Sequence, residues 1–148
     1  MKTMSDKQHF EVDIENIEDY KFRVKFDEES MGEMITDETE SVGGKGEGPP
    51  PSRLLAAATL NCLMASLKFC LDKKRVDLKS LKGKVDVTIE RIDKRLRVTE
   101  MDVHIRPGID EENKKKLEQC ADIFENYCVV TESVRNGIEV DVNVEPEV

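Results

Sequence analysis

Four cysteines are the residues of this 148-residue chain with the greatest capacity for covalent chemistry. Cys62 and Cys70 lie in an apolar segment, residues 54–71, whereas Cys120 and Cys128 lie in a second segment much further along the chain. A cysteine in such a setting is either a small packing residue or a nucleophile that reacts as its thiolate. Cys62 lies about three turns into the first predicted helix and Cys128 ends the second, so these two thiols approach each other if the helices pack together.

The chain shows no sequence pattern of a phosphate, metal or cofactor site. The glycine-rich stretch at residues 43–51 ends in three prolines and lacks the Gly-Lys-Ser/Thr step of a P-loop. His9 and His104 are isolated, and cysteines eight residues apart on a helix are separated by more than two turns, too far to bind one ion. We therefore expect chemistry that uses the chain's own side chains, with no metal and no cofactor.

The charge distribution argues against nucleic acid as a partner. The chain has a net charge of −9, and residues 1–48 hold 14 acidic against 6 basic side chains, whereas phosphate-backbone binding needs clustered positive charge. The N-terminal sequence MKTMSDKQHF lacks the apolar run of a signal peptide, which predicts a cytoplasmic protein with free or redox-cycling cysteines. Residues 54–71 approach membrane-spanning length, but the internal Lys68 and the basic segment that follows favour a buried core helix over a membrane contact.

The hydrophobic periodicity predicts a mostly antiparallel α+β domain over residues 1–148, with the order β-β-β-α-β-β-α-β and two long central helices. The first helix begins at Pro51 or Ser52 and ends near Lys74, and a second begins at Asp110. A change of parity near residues 99–100 indicates a β-bulge. The predicted strands are 9–17, 20–26, 32–37, 83–92, 96–105 and 138–144, and the apolar stripe of the second helix is Leu117, Cys120, Ala121, Phe124 and Cys128.

Two stretches, GGKGEGPPPSRLLAAATLNC and FENYCVVTESVRNGIEVDVNV, resemble the OsmC/Ohr superfamily of osmotically inducible and organic-hydroperoxide-resistance proteins. The family has a Gly/Pro loop, a P-x-x-L-x-x-A helix start and a helical cysteine, followed far downstream by a second cysteine before the final strand. Both halves occur here in that order, with Cys62 and Cys128 66 residues apart. The sequence ENYC resembles the YhfA-like branch of the superfamily more than it resembles the proven peroxidases.

The resemblance implies an OsmC-like fold and thiol peroxidase chemistry in the response to oxidative stress. Cys62 would attack an organic or lipid hydroperoxide and become a sulfenic acid, Cys128 would condense with it to a disulfide, and an external dithiol would reopen that bond. No family role maps to Cys70 or Cys120, so we expect both to be inert packing residues.

The family's peroxidases activate the attacking thiol with an arginine and with a glutamate directly after the helix-opening proline, but Ser52 occupies that second position here. Arg23 is the candidate for the arginine, and Arg53 is an alternative cation for a remodelled site. A loop carboxylate, Glu47, is nearby in sequence.

The first helix is apolar on all sides, and this predicts an obligate, intertwined homodimer. A non-catalytic homodimer that binds an apolar small ligand is the alternative function, favoured by the absence of glutamate at position 52.

Overall fold

The computed structural model describes residues 6–147, which divide into two compact units between Leu54 and Leu55. Within this range the chain forms five strands in antiparallel sheets and three α-helices, which confirms the α+β class. The assignment of residues 1–148 to a single domain stays a prediction.

The first unit contains a three-stranded antiparallel sheet in the order of the chain. Its strands are β1 (Asp13–Glu18), β2 (Lys21–Lys25) and β3 (Glu33–Thr36), which confirms the three strands expected in this region. The β1–β2 turn places Asp19 at a φ of 45°, a conformation that Asp adopts more readily than most residues.

A buried carboxylate shapes the glycine-rich loop that follows β3. Asp37 is 3% exposed and accepts hydrogen bonds from the backbone N–H groups of Glu38, Lys45 and Glu47, at 2.8, 3.3 and 3.2 Å. Burial alone would raise the pKa of Asp37, but these three donors outweigh it and lower that pKa. A Cβ on Gly44 would lie 2.1 Å from the carbonyl oxygen of Glu38, so the loop closes only with glycine there.

Helix α1 (Pro51–Lys73) provides the scaffold of the candidate site. Pro51 is its first residue, one of the two predicted starts, and the Pro50 carbonyl accepts the N–H groups of Arg53 and Leu54. The helix has the length and composition of a membrane span. One stripe of the helix packs inside the protein at spacings of three and four: Ala56, Thr59, Leu63, Leu67 and Leu71.

Strands β4 (Ser80–Ile92) and β5 (Arg95–Gly108) form a long antiparallel hairpin. Asp93 and Lys94 make its two-residue turn, both at positive φ, as tight hairpins require. Thr88 pairs with Glu100 and Ile89 pairs with Val98, so Thr99 is the additional residue of a bulge. The parity change in the sequence predicted this bulge correctly.

The prediction of one long second helix is wrong. The structure has two helices of eight residues, α2 (Lys114–Ala121) and α3 (Val129–Asn136), with a 3₁₀ turn at Phe124–Tyr127 between them. The helix breaks because Phe124 turns onto the hydrophobic core and Cys128 takes an extended backbone conformation as the N-cap of α3.

The predicted final strand is also absent from the described part of the chain. Residues 138–144 form no ladder there, although their apolar residues alternate. These side chains are exposed by 66% to 90%: Ile138, Val140, Val142 and Val144. Alternation alone makes no strand, because a strand needs a neighbour for its backbone hydrogen bonds.

Candidate functional site

The fold brings the four cysteines together as two pairs that each join α1 to the later segment. Cys70 on α1 meets Cys120 at the end of α2, and Cys62 on α1 meets Cys128 at the start of α3. The later segment runs back along α1 in the opposite direction. Two cysteines eight residues apart on α1 therefore face two cysteines eight residues apart on that segment. The expectation that Cys62 and Cys128 approach each other is confirmed.

Cys70 and Cys120 are joined by a disulfide, with their Cα atoms 5.8 Å apart. Cys120 is fully buried in the core cluster with Leu67, Leu71 and Val76, and Cys70 packs against that cluster. The expectation that these two cysteines are inert packing residues is therefore wrong in its chemistry. They occupy apolar positions as predicted, but they cross-link α1 to α2.

Cys62 and Cys128 are free thiols whose side chains lie close enough to influence each other. Cys128 is 1% exposed, and its Sγ donates to Thr131 Oγ1 at 3.0 Å. Cys62 is half-buried, and its Sγ accepts the backbone N–H of Val130 at 3.5 Å. The first turn of α3 thus contacts both sulfur atoms.

The two thiols differ in acidity. Burial raises the pKa of Cys62, and its hydrogen bond to Cys128 raises it further, against weaker opposition from the amides of Val130 and Thr131. Burial also acts to raise the pKa of Cys128, but hydrogen bonds from Cys62, Thr131 and Ser66 outweigh it and lower that pKa.

An apolar cavity of about 480 Å³ opens beside Cys62. α1 contributes the face from Cys62 to Lys73, and the α2–α3 connection contributes the opposite wall. The wall residues are Ile123, Phe124, Tyr127 and Val129. A larger cavity of about 730 Å³ lies along α1 at Leu55, Thr59 and Leu63. Neither free cysteine lines it, so the smaller cavity is the candidate substrate site.

The two candidate arginines belong to the first unit, and their own contacts are local. Arg23 on β2 pairs with Glu33 on β3 at 3.4 Å, and Arg53 donates to Ser52 Oγ at 3.1 Å. Glu47 is engaged by Lys21 through an ion pair. The activating role of Arg23 or Arg53 stays a prediction.

Two hydroxyl residues of the site, Ser66 and Thr131, were not predicted from the sequence. Thr131 is 5% exposed and lies three residues after Cys128, at the position where a capping partner of a helix start is found. Ser66 lies one helical turn after Cys62. The sequence contained both spacings, but only the packing of α3 on α1 directs the two hydroxyls at Cys128. Within residues 6–147 no group of three or more His, Cys, Asp or Glu side chains is arranged to hold a metal ion.

The chain belongs to the OsmC-like protein family, whose model matches residues 44–143. This range includes the glycine-rich loop from Gly44 onward and all four cysteines. A relative in Acinetobacter baylyi, described as an uncharacterised protein, is 30% identical over 107 residues, which covers 71% of this chain and 72% of that protein. The superfamily expected from the two motifs is thereby confirmed, whereas the YhfA-like branch stays a prediction.

Solved structures share the fold. An OsmC-like protein of unknown function from Vibrio cholerae superposes with a TM-score of 0.74 at 12% identity and covers 86% of this chain and 94% of its own. An organic hydroperoxide resistance protein OsmC from Legionella pneumophila gives a TM-score of 0.67 at 12% identity, over 86% of this chain and 90% of its own. At these identities the comparison shows the fold alone.

Proposed function

We propose that this protein is a cysteine-dependent peroxidase that reduces organic and lipid hydroperoxides. The main support is the pair of neighbouring free thiols beside an apolar cavity, on a fold shared with an organic hydroperoxide resistance protein. The cavity has room for an apolar tail, and Cys62 on its wall meets the peroxide group.

The reaction takes place in three steps. The Cys62 sulfur attacks the terminal oxygen of ROOH, the O–O bond breaks, and the oxygen attached to R leaves as the alcohol after it gains a proton. Cys128 then attacks the sulfur of the Cys62 sulfenic acid, which forms the Cys62–Cys128 disulfide and releases water. An external dithiol reduces this disulfide by exchange and restores both thiols. Each turnover consumes one hydroperoxide and one dithiol.

Arg23 and Arg53 are the candidates for a cation that supports the attack. Both arginines are proposed because the family's peroxidases use an arginine. Arg23→Gln and Arg53→Gln, compared for the rate of Cys62 oxidation, identify which of them acts. The variant of the acting arginine oxidises more slowly, whereas the other variant matches the wild type.

A homodimer is proposed as the working assembly. Large apolar side chains of the second unit are exposed in the single chain, among them Leu55, Phe69, Leu96 and the alternating residues 138–144. Exposed apolar area on this scale is typical of a surface that another chain covers. Sedimentation at micromolar concentration should give a dimer mass, and a folded monomer would contradict the proposal. A cytoplasmic location, where dithiol reductants are available, is proposed with it.

The peroxidase proposal is tested by hydroperoxide consumption in the presence of a dithiol. Wild type should consume cumene hydroperoxide faster than hydrogen peroxide, because the cavity binds the aryl group. Cys128→Ser should complete one oxidation and stop with a sulfenic acid on Cys62 that dimedone traps. If wild type binds apolar ligands but consumes no hydroperoxide, the alternative of a non-catalytic ligand-binding protein replaces the enzyme.

A further inference from the structure

Arg135 holds the two residues that hydrogen-bond the backbone of Cys128. The Cys128 N–H donates to the Glu125 carbonyl at 3.1 Å, and the Cys128 carbonyl accepts the N–H of Glu132, also at 3.1 Å. The carboxylates of the same two residues accept hydrogen bonds from the Arg135 guanidinium, Glu132 from Nη1 and Glu125 from Nη2. One arginine therefore links the segment before the buried thiol to the helix after it.

The two ion pairs of Arg135 differ in what they restrain. Glu132 lies three residues before Arg135 on α3, so the helix already fixes their separation. Glu125 lies ten residues before Arg135 on the 3₁₀ turn, and the extended backbone of Cys128 separates that turn from α3. The pair of Arg135 with Glu125 is thus the one that crosses the break in the chain.

The side chains on either side of Cys128 are mostly exposed. Cys128 itself is 1% exposed, but Tyr127 and Val129 are 74% and 75% exposed. The hydrophobic core anchors the turn at its first residue, Phe124. A segment with this much exposure depends on polar contacts for its position. Arg135 supplies such a contact across the stretch from the turn to α3.

We propose that Arg135 is a positioning residue for the second step of the proposed reaction, in which Cys128 condenses with the Cys62 sulfenic acid. The inference rests on the proposed peroxidase function. In this step the Cys128 sulfur bonds to the Cys62 sulfur and the S–O bond of the sulfenic acid breaks. The hydroxyl leaves as water with the proton of the Cys128 thiol. By clamping Glu125 and Glu132, Arg135 keeps Cys128 within reach of Cys62 while the sulfenic acid exists.

The clamp acts on the rate of this step more than on stability. Exposed ion pairs contribute little to the free energy of unfolding, and these three side chains are each 39% to 51% exposed. A displacement of about 1 Å at a reacting atom, however, can slow a reaction on the order of 10²-fold. Cys62 is held by the long helix α1, so its own oxidation depends less on the clamp than the approach of Cys128 does.

The variants separate the two ion pairs. Arg135→Gln removes both, Glu125→Gln neutralises the pair that crosses the break, and Glu132→Gln neutralises the pair within α3. Arg97→Gln is a matched control, since Arg97 is an exposed arginine on β5 that donates to the Leu96 carbonyl at 2.8 Å. Thermal unfolding of each variant confirms that it is folded.

The two steps are followed by intact mass after one equivalent of cumene hydroperoxide, with the reaction quenched at a series of times. Sulfenic acid formation should keep its wild-type rate in every variant, whereas disulfide closure should slow about fivefold in Arg135→Gln and Glu125→Gln. The double variant Arg135→Gln/Glu125→Gln should be no slower than Arg135→Gln, because both changes break the same pair. Glu132→Gln and Arg97→Gln should close at nearly the wild-type rate.

A second measurement needs no hydroperoxide. In glutathione buffers Cys62 forms a mixed disulfide that Cys128 can displace. The ratio of the Cys62–Cys128 bond to the mixed disulfide therefore gives the effective concentration of Cys128 at Cys62. Peptide mapping identifies the bonded cysteines. The ratio should fall about fivefold in Arg135→Gln and Glu125→Gln and stay unchanged in Glu132→Gln.

Two results would overturn the inference. One is a closure rate and a glutathione ratio in Arg135→Gln equal to the wild-type values. The other is an equal slowing of both steps, which would mean that Arg135 only stabilises the fold. Should Arg135→Gln not fold, the comparison of Glu125→Gln with Glu132→Gln decides in the same way. A wild type that consumes no hydroperoxide, in a set of variants with the expected glutathione ratios, would contradict the peroxidase proposal and leave the positioning of Cys128 by Arg135 standing.

Discussion

The two cysteine pairs of the second unit have the same spacing but different surroundings. Cys70 and Cys120 meet in the core cluster of Leu67, Leu71 and Val76 and are bonded. Cys62 and Cys128 meet two turns earlier on α1, next to an apolar cavity, and are free. Polar hydrogen-bond donors surround the second pair and apolar side chains surround the first.

The two pairs have the same spacing, so the surroundings of each pair, and not its spacing, distinguish the disulfide from the free thiols. Cys70 also lines the cavity, but Cys120 is fully buried in the core, so this pair serves as a cross-link between α1 and α2. The Cys62–Cys128 pair has room for a substrate on one side and donors for a thiolate on the other, which are the requirements of redox chemistry. The Cys70–Cys120 disulfide also holds α2 against α1, and the chain continues from α2 to Cys128.

The largest expected effect separates the two pairs by activity. Cys62→Ser should abolish hydroperoxide consumption, because it removes the attacking sulfur, whereas the double variant Cys70→Ala/Cys120→Ala should retain consumption at a temperature where it is folded. Consumption is followed as loss of cumene hydroperoxide with excess dithiol. An active Cys62→Ser protein, or a folded but inactive double variant, would reverse the assignment of roles.

Loss of the Cys70–Cys120 bond should lower the free energy of unfolding more than loss of the Cys62 thiol. The Cys70–Cys120 bond closes a loop with a sequence separation of 50 residues. By the chain-entropy relation, its loss in Cys120→Ala should lower the free energy of unfolding by about 4 kcal/mol. Urea unfolding measures this change, with Cys62→Ser as the matched control on α1. A loss in Cys120→Ala no larger than that in the control would mean that the bond does not cross-link the native core.

The pairing of Cys70 with Cys120 could not be predicted from the sequence. The eight-residue spacing within each segment is visible in the sequence, and so is the apolar setting of all four cysteines. Which thiols meet depends on the direction in which the later segment runs along α1, and the spacing alone does not give that direction. The apolar stripe continues through this break, so its periodicity predicted one helix where the core packing of Phe124 produces two.

Local features were more predictable. Pro51 begins α1 and the bulge lies at Thr99, because both depend on backbone preferences of adjacent residues. The prediction of a strand at residues 138–144 was wrong for the opposite reason. A strand depends on a neighbouring strand, which the residues of the segment itself do not reveal. Ser66 and Thr131 were missed because a hydroxyl becomes a thiolate donor only after two helices pack.

The cavity wall should control which hydroperoxide is used. Val129→Ser places a hydroxyl in the wall beside the thiols, whereas Val134→Ser makes the same change on α3 in the other cavity. We expect Val129→Ser to lower kcat/KM for cumene hydroperoxide about tenfold relative to that for hydrogen peroxide, the scale of a small change in an apolar pocket. Val134→Ser should leave this ratio unchanged. Equal ratios in both variants would mean that the substrate lies elsewhere.

The smallest expected effect concerns the first unit, where a carboxylate and not a thiol is buried. The folded-state pKa of Asp37 is lowered, so its stabilisation is present above the unfolded value of about 3.9 and is lost as the pH falls through the folded value. Asp37→Asn should therefore unfold at a lower temperature than wild type at pH 7, and this difference should shrink in acid. A difference that is constant between pH 7 and pH 3 would contradict the role of the charge.

The most direct test of the account is the oxidation of wild type by one equivalent of cumene hydroperoxide without air, followed by intact mass and peptide mapping. The account predicts a product lighter by the mass of two hydrogens, about 2 Da, with a new Cys62–Cys128 bond and an unchanged Cys70–Cys120 bond. A protein whose Cys62 remains reduced, or whose new bond involves Cys70 or Cys120, would contradict it.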